Sequence, residues 1–468
     1  MCTVIPLSLS EIATVTNGRL AGARGDEVVT AVEFDSRAIR AGGLFLALPG
    51  ENVDGHDFAA AAADRGAAGV LAARPVDAPA VVVPPAPRAA GTYLGDTDPD
   101  GSGAAVLAAL ARLATHVVGR LPDMAVVGVT GSSGKTSTKD LLAAVLAPLG
   151  PTVAPPESFN NELGLPWTAL RADAATRHLV LEMSARGPGH IAALAATVPP
   201  RIGVVLNVGS AHLGEFGSVE GIARAKGELV EALPADGIAV LNADDPRVAA
   251  MAQRTVARVV TFGRGADVRA EAVTLDAGRA RFRLCTPAGS ASVALRLVGA
   301  HHVGNALAAA AVAIELGATP EQVAAALSAV IPASRWRMEV TDRADGVTVV
   351  NDAYNANPDS MAAALRALRA LGDSRRTWAV LGPMRELGGD EAAAHAGVAT
   401  LARELGIDEL VAVDSPAYGA RREVPDVDEA IALLHAELAP GDVVLVKASR
   451  AAGLERIAAD LLDGSAGV

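Results

Sequence analysis

Residues 126–138 read VVGVTGSSGKTST, in which Gly131 and Gly134 bracket two serines and Lys135-Thr136 follow at once. Glycines let the backbone approach phosphate oxygens, and a helix opening at Lys135 would aim unpaired N–H groups at them. The Lys135 ammonium adds a point charge, and the Thr136 hydroxyl can hold Mg²⁺. Thr130, Gly131, Ser132, Ser133, Gly134, Lys135 and Thr136 are therefore the candidate ATP contacts, in a spacing that puts Val129 where the general P-loop pattern has glycine. Further along, the apolar run LVLEM carries Glu182, a strand-end carboxylate that could serve a metal or simply be solvated or ion-paired. His212 follows the apolar run 202–208, where a histidine is as readily structural as ligating. Lys226 lies on a helical segment beginning near Ser218, where a lone lysine is ordinarily solvated.

Such a centre needs elements to hold it. A strand, Met124–Thr130, leads into the loop and a helix, Thr136–Ala147, leaves it; HLVLEM, IGVVLNV and GIAVLN are further strands. Strands alternating with helices imply right-handed crossovers and a largely parallel sheet with functional loops at its C-terminal edge. Residues 268–298 alternate without helical spacing and predict a small antiparallel insertion. Upstream, from Glu11 to about Ala90, the strands GLFLAL, GVLAA and AVVV accompany an Ala-rich helix, Phe58–Arg65, as a small α/β domain. The turn-rich stretch from Pro84 and the helix Ala104–Val118 put a boundary near residue 100. A second falls near Ile331-Pro332, with Pro332 ending the helix Gln322–Val330. Beyond it GVTVVND, TWAVLGP, ELVAVD and DVVLVKAS read as another parallel α/β unit. The expected domains are 1–100, 101–333 and 334–468.

Bulk properties agree with three cores, since 468 residues exceed about 150 per domain. Apolar residues are 51% but aromatics only 3%, so Ala, Val and Leu dominate, as suits helices packed on buried parallel strands. A net charge of −13 repels nucleic acid and anionic lipid, so no nucleic-acid partner is expected and any phosphate must be held locally. Cys2 and Cys285, too few for a disulfide framework, point to a reducing compartment. The start MCTVIPLSLSEIA lacks a signal-peptide pattern, and Ala-rich stretches such as Asn305–Leu316 fall short of the roughly 20 residues that span a bilayer. A cytoplasmic protein without membrane insertion is the expectation.

The TGSSGKT loop, and above all the string AHL…FGS…G…AKGEL around His212 and Lys226, resembles the Mur ligase family. The resemblance implies an ADP-forming amide ligase using ATP and Mg²⁺, in which Lys226 is carbamylated and His212 binds a second Mg²⁺. It makes Lys135, Glu182, His212 and Lys226 the expected catalytic residues, and Thr136, Glu182, His212 and carbamylated Lys226 the expected metal ligands. Carbamylation would turn a cation into an anionic ligand. The metals would offset the repulsion, several kcal/mol at contact, between a substrate carboxylate and the γ-phosphate. The product of that encounter is an acyl-phosphate, which an amine then displaces.

The resemblance extends along most of the chain. The string FDSRAIRAGGLFLALPGENVDGHDF is similar to the family's uridine-nucleotide domain, making Ser36, Arg37, Asp54 and His56, beside Gly55 and Phe58, candidate substrate contacts; an ordinary polar turn is the other reading. SFNNELGLPWTAL resembles the branch that adds D-alanyl-D-alanine to UDP-N-acetylmuramoyl-tripeptide in peptidoglycan synthesis. Asn160, Asn161 and Glu162 would contact substrate or metal, with Asn161 equally placed to cap a helix. LNADDP (Asn242, Asp244, Asp245) and HHVGNALAAAA resemble nucleotide-side motifs, with Asn305 on the adenine and His301-His302 either there or at a helix edge. SRWRMEV and NDAYNANPDSM offer Arg337 and Asp352 to ATP and Tyr354, Asn355 and Asn357 to the dipeptide. VKASRAAGLE offers Lys447, Ser449 and Arg450 to a carboxylate, and Pro383 in LGPMRELG receives no role. The implied fold is α/β, a three-domain Mur ligase architecture with a small N-terminal domain, a central P-loop-type parallel sheet and a Rossmann-like C-terminal domain, acting as a monomer. Another Mur ligase adding a single amino acid, or a non-catalytic nucleotide-binding regulator, are the alternatives.

Overall fold

The computed structural model describes residues 4–50, 52–87, 94, 97–209, 213–331, 333–385, 387 and 391–463. Three large sheets follow one another along the chain, each built where short runs rich in valine, leucine and alanine alternate with helices. The first has five strands in the order Arg19–Ala21, Ala80–Val82, Ala67–Ala72, Gly43–Leu46 and Ala31–Glu33, parallel except for the first pair. Helix Leu9–Thr16 packs on it, capped by the Ser8 hydroxyl, which accepts from the Glu11 N–H. The Ala-rich segment forms a 3₁₀ turn, Gly55–Phe58, and then the α-helix Ala59–Asp64, so the α-helix starts one residue later than its composition predicts. The Asp54 carboxylate accepts from the His56 N–H and fixes that entry.

The second sheet has six parallel strands, in the order Arg258–Phe262, Ile238–Asn242, Ile202–Val205, Ala125–Thr130, His178–Glu182 and Thr152–Val153. Its central strand, Ala125–Thr130, feeds the glycine loop and the phosphate-loop helix, Lys135–Leu146. Residues 269–298 form the expected antiparallel insertion, three strands packed on helices His302–Glu315 and Pro320–Ala329. Helix Pro320–Ala329 begins two residues before its predicted start because Thr319 and Gln322 form a capping box around Pro320. Pro332, expected to end it, lies outside the described residues.

The third sheet runs Glu339–Asp342, Thr348–Asn351, Val443–Lys447, Thr377–Leu381, Glu409–Val413 and Arg422–Val424. The four strands expected from GVTVVND, TWAVLGP, ELVAVD and DVVLVKAS are parallel, and a further edge strand, Glu339–Asp342, pairs antiparallel with Thr348–Asn351. The two strands are joined by the five residues 343–347, a connection that only an antiparallel pair can use. The three-residue strand Arg422–Val424 is too short to leave a pattern in the sequence.

The first two units share one core. Helix Ser102–Gly119 touches helix Leu9–Thr16 on one side and helices Gly164–Ala169 and His190–Thr197 on the other. This 18-residue helix is apolar enough to suggest a membrane span, but Leu110 and Leu113 are buried in that core, which accounts for its hydropathy. An aromatic cluster closes the same seam: Phe34 meets Phe159 and Trp167 at centroid distances of 5.9 and 5.5 Å, and the Trp167 indole N–H donates to the Val32 carbonyl at 2.8 Å. Leu110→Ala is expected to cost about 2–5 kcal/mol through the cavity it leaves. Urea denaturation followed by circular dichroism measures this, and an unchanged midpoint would contradict the shared core.

Candidate functional site

The central strands end at a cleft of about 540 Å³, whose other wall is the C-terminal unit. Its floor is the glycine loop. Gly134 has φ of 81°, which disfavours any side chain, and a Cβ there would sit 2.7 Å from the Asn305 Oδ1 and require that amide to move. Asn207, at the end of the neighbouring strand, accepts from the Ser133 N–H and donates to the Ser133 carbonyl, holding the loop from the side. The Ser132 hydroxyl accepts from the Gly209 N–H. In this geometry the Lys135 ammonium folds back on the Gly131 carbonyl at 2.7 Å.

Thr136, Glu182 and Asn160 are joined through Ser158. The Thr136 and Ser158 hydroxyls lie 3.1 Å apart, and Ser158 donates to one Glu182 oxygen, which the Asn160 amide also reaches at 3.3 Å. The other oxygen, Oε1, is buried without a hydrogen-bond partner among the described residues. A buried carboxylate oxygen left unsatisfied is costly and marks a place for a donor or a cation. Ser158 opens the SFNNE string, yet nothing in a lone serine distinguishes it; only the fold shows that it links two candidate ligands. Asn207 went unmarked for the same reason.

Three lysines sit in this region. Lys135 is half-buried, and desolvation pulls it down to about 8, Glu182 opposing and Arg337 adding to the effect. Lys226, on the helix Val219–Glu231 capped by Ser218, is buried, and desolvation followed by the charge of Lys135 holds it well below an ordinary lysine. Lys447 is buried; desolvation lowers it, while its 2.6 Å ion pair with Asp352 acts the other way. His212 lies outside the described residues.

From the C-terminal side, Arg337 donates to the Thr136 hydroxyl at 3.2 Å and stacks on Tyr354 at 4.0 Å. Lys447 also donates to the Asn355 carbonyl, and Arg450 stacks on Trp336. Thus Lys135, Thr136, Asn160, Glu162, Asn305 and Arg337 share the cleft with Asp352, Tyr354, Lys447 and Arg450. The wall also includes Asn161 and Asn357, whose side chains are engaged locally. The Asn161 carbonyl oxygen Oδ1 accepts from the Leu163 and Gly164 N–H groups, and Asn357 caps helix Pro358–Gly372. Ser449 is turned away from the cleft toward Arg385, whose N–H its hydroxyl accepts. Asn242 and Asp245 shape the strand end instead of projecting freely: Asn242 donates to the Leu206 carbonyl, and Asp245 accepts from Val208 N–H. His302 is buried and held neutral by desolvation, at the N-terminal edge of helix His302–Glu315.

The nucleotide-domain candidates do not reach this cleft. Arg37 is exposed and bound to Asp35; His56 is buried with Nδ1 on Asp54 and Nε2 accepting from the Ala73 N–H. Both ring nitrogens of His56 are therefore used in holding the turn, with Asp54 also paired to Arg74. Ser36 lies beside Arg37, partly exposed.

A phosphate loop on one parallel sheet, faced by the charged end of a second across a deep cleft, defines a nucleotide-dependent α/β enzyme. The Mur ligase family, catalytic domain, matches residues 28–114; the Mur ligase middle domain matches 129–313; and the Mur ligase, glutamate ligase domain, matches 336–450. The chain is 55% identical to the UDP-N-acetylmuramoyl-tripeptide--D-alanyl-D-alanine ligase of Mycobacterium tuberculosis, over 97% of each chain. It is 35% identical to the ligase of that name from Escherichia coli, over 97% of this chain and 98% of the relative. Among solved structures, MurF from Acinetobacter baumannii superposes with a TM-score of 0.84 at 30% identity, covering 98% of this chain and 99% of that one. MurF from Thermotoga maritima, crystallised with ADP, gives 0.76 at 30% identity over 92% and 97%. The chain belongs to the Mur ligase family, ligases driven by ATP.

The depressed Lys135 has a measurable consequence. Below pH about 8 its ammonium is charged and above it neutral, so ATP affinity should fall as pH rises through that value. Bound phosphates restore the higher value, so binding above pH 8 takes up a proton. Calorimetry in buffers of different ionisation enthalpy reads that uptake, which Lys135→Met should abolish.

Proposed function

We propose that this protein joins D-alanyl-D-alanine to UDP-N-acetylmuramoyl-tripeptide with ATP, forming the pentapeptide precursor of peptidoglycan. The observation that carries the reading is the convergence, beside one glycine loop, of a buried lysine whose charged form desolvation disfavours and a buried carboxylate with an unmet oxygen. The 55% identity over 97% of a ligase of that activity supports the choice of substrates.

The glycine loop and Lys135 hold the triphosphate. An oxygen of the acceptor carboxylate attacks the γ-phosphorus, the bond to the β-phosphate oxygen breaks, and ADP leaves an acyl-phosphate. The dipeptide amine attacks the acyl carbon, phosphate departs, and the amine loses its proton. Thr136 and Glu182 provide hard oxygen donors suited to Mg²⁺, which when bound offsets the repulsion between the two reacting anions. In its neutral form, which burial and the nearby Lys135 charge favour, Lys226 can attack the carbon of CO₂ and release a proton, giving a carbamate that adds negative charge to the same donor set. His212 is assigned to it by family resemblance. Asn160, Glu162 and Tyr354 face the peptide portion, and Lys447 and Arg450 face the incoming carboxylate. The reading places domain limits near residues 100 and 333, the uridine diphosphate beside Ser36 and Arg37, and the enzyme in the cytoplasm as a monomer.

Purified protein should release phosphate with ATP, the tripeptide nucleotide and D-alanyl-D-alanine, and not when single amino acids replace the dipeptide. Activity with single amino acids alone would overturn the assignment. With ¹³C-bicarbonate, a carbamate carbon resonance is expected in the intact protein and absent from Lys226→Ala, which should also lose turnover.

A further inference from the structure

The path from helix Pro320–Ala329 of the central unit to strand Glu339–Asp342 of the C-terminal unit passes through Ser334, whose N–H and hydroxyl are both held by the phosphate-loop helix. The Ser334 N–H donates to Asp140 Oδ2 at 3.1 Å, and its hydroxyl accepts from Lys139 Nζ at 3.1 Å. Lys139 is 1% exposed; its ammonium also reaches the Pro155 carbonyl at 2.8 Å and Asp140 Oδ1 at 2.5 Å, so all three of its donors are used. Thr136, Lys139 and Asp140 are spaced i, i+3, i+4, which puts them on one helical face, one turn beyond the glycine loop.

The next residues are held from the opposite side. The Trp336 carbonyl accepts from the Tyr354 N–H, Arg450 stacks on the Trp336 ring, and the Met338 N–H donates to Asp352. In this second set Trp336 and Met338 adopt φ of 57° and 52°, a conformation that non-glycine residues keep only when their surroundings over-determine it. Residues 335–338 thus form the passage between the two units, with one end fixed to the helix that carries the phosphate loop.

We infer that Lys139 and Asp140 are positioning residues: they fix the pivot of the C-terminal unit to the phosphate-loop helix, so that Arg337, Asp352 and Lys447 meet the nucleotide in one register. The ion pair reaches beyond its own helix, engaging the N–H and the hydroxyl of Ser334 in the crossing segment. The kinetic part of this inference rests on the ligase reading; the scattering part needs only nucleotide binding.

The test compares the full-length protein with Ser334→Ala and with Lys139→Met/Asp140→Leu, which removes both charges and retains side-chain bulk. Small-angle X-ray scattering is recorded with and without a non-hydrolysable ATP analogue and magnesium, alongside thermal midpoints and steady-state kinetics. Nucleotide-induced compaction is expected in the unaltered protein and lost or reduced in both variants. Their KM for ATP should stay within about twofold while kcat falls about tenfold or more, as misplacement of reacting groups predicts. Compaction and kcat equal to those of the unaltered protein in either folded variant overturn the inference, as does an unaltered protein that binds the analogue without compacting. If the double variant does not fold, Ser334→Ala decides by the same readings. Failure of the unaltered protein to release phosphate with compaction intact would instead overturn the ligase reading.

Discussion

Positive charge withdrawn from water is the condition around which the cleft is organised. Lys135, Lys226 and Lys447 lie where desolvation disfavours their charged forms, and only Lys447 has a carboxylate within ion-pairing distance among the described residues. Such an arrangement is unfavourable in the empty protein and favourable once polyanionic ligands arrive. A glycine loop backed by a helix N-terminus adds oriented N–H groups that require no rearrangement. The same low polarity that penalises Lys135 also strengthens the contact it makes with phosphate.

That condition explains why the site is divided between two sheets. One parallel sheet presents its loops in a single direction, so it can cradle a triphosphate but leaves one side open to water. The facing end of the C-terminal sheet supplies Arg337, Tyr354, Asp352 and Lys447, and their contacts with one another keep them oriented before any ligand is present. Water is then excluded on that side by the facing end of a second sheet rather than by a loop.

The fold was legible where periodicity is strong. The valine-rich strands of the central sheet, the glycine loop and the alternating insertion all emerge from residue pattern, because each buries a continuous face. The antiparallel edge at Glu339–Asp342 and the three-residue strand Arg422–Val424 did not, since their pairing is decided by neighbours distant in sequence. The site was legible in its ionisable and glycine residues. It was not legible in Ser158 and Asn207, whose importance comes from bridging groups that sequence separates widely. Ser449 and His56 show the converse: polar residues beside a motif, yet committed to shaping backbone.

The three tryptophans sit in three mechanically different places. Trp167 is wedged in the seam between the first two units, and Trp378 is wholly enclosed by the C-terminal core, so the surroundings of both indoles travel with them. Trp336 alone occupies the joint, its ring against the Arg450 guanidinium. Of the three indoles it is therefore the one placed to report optically on the passage between the units, without an attached dye.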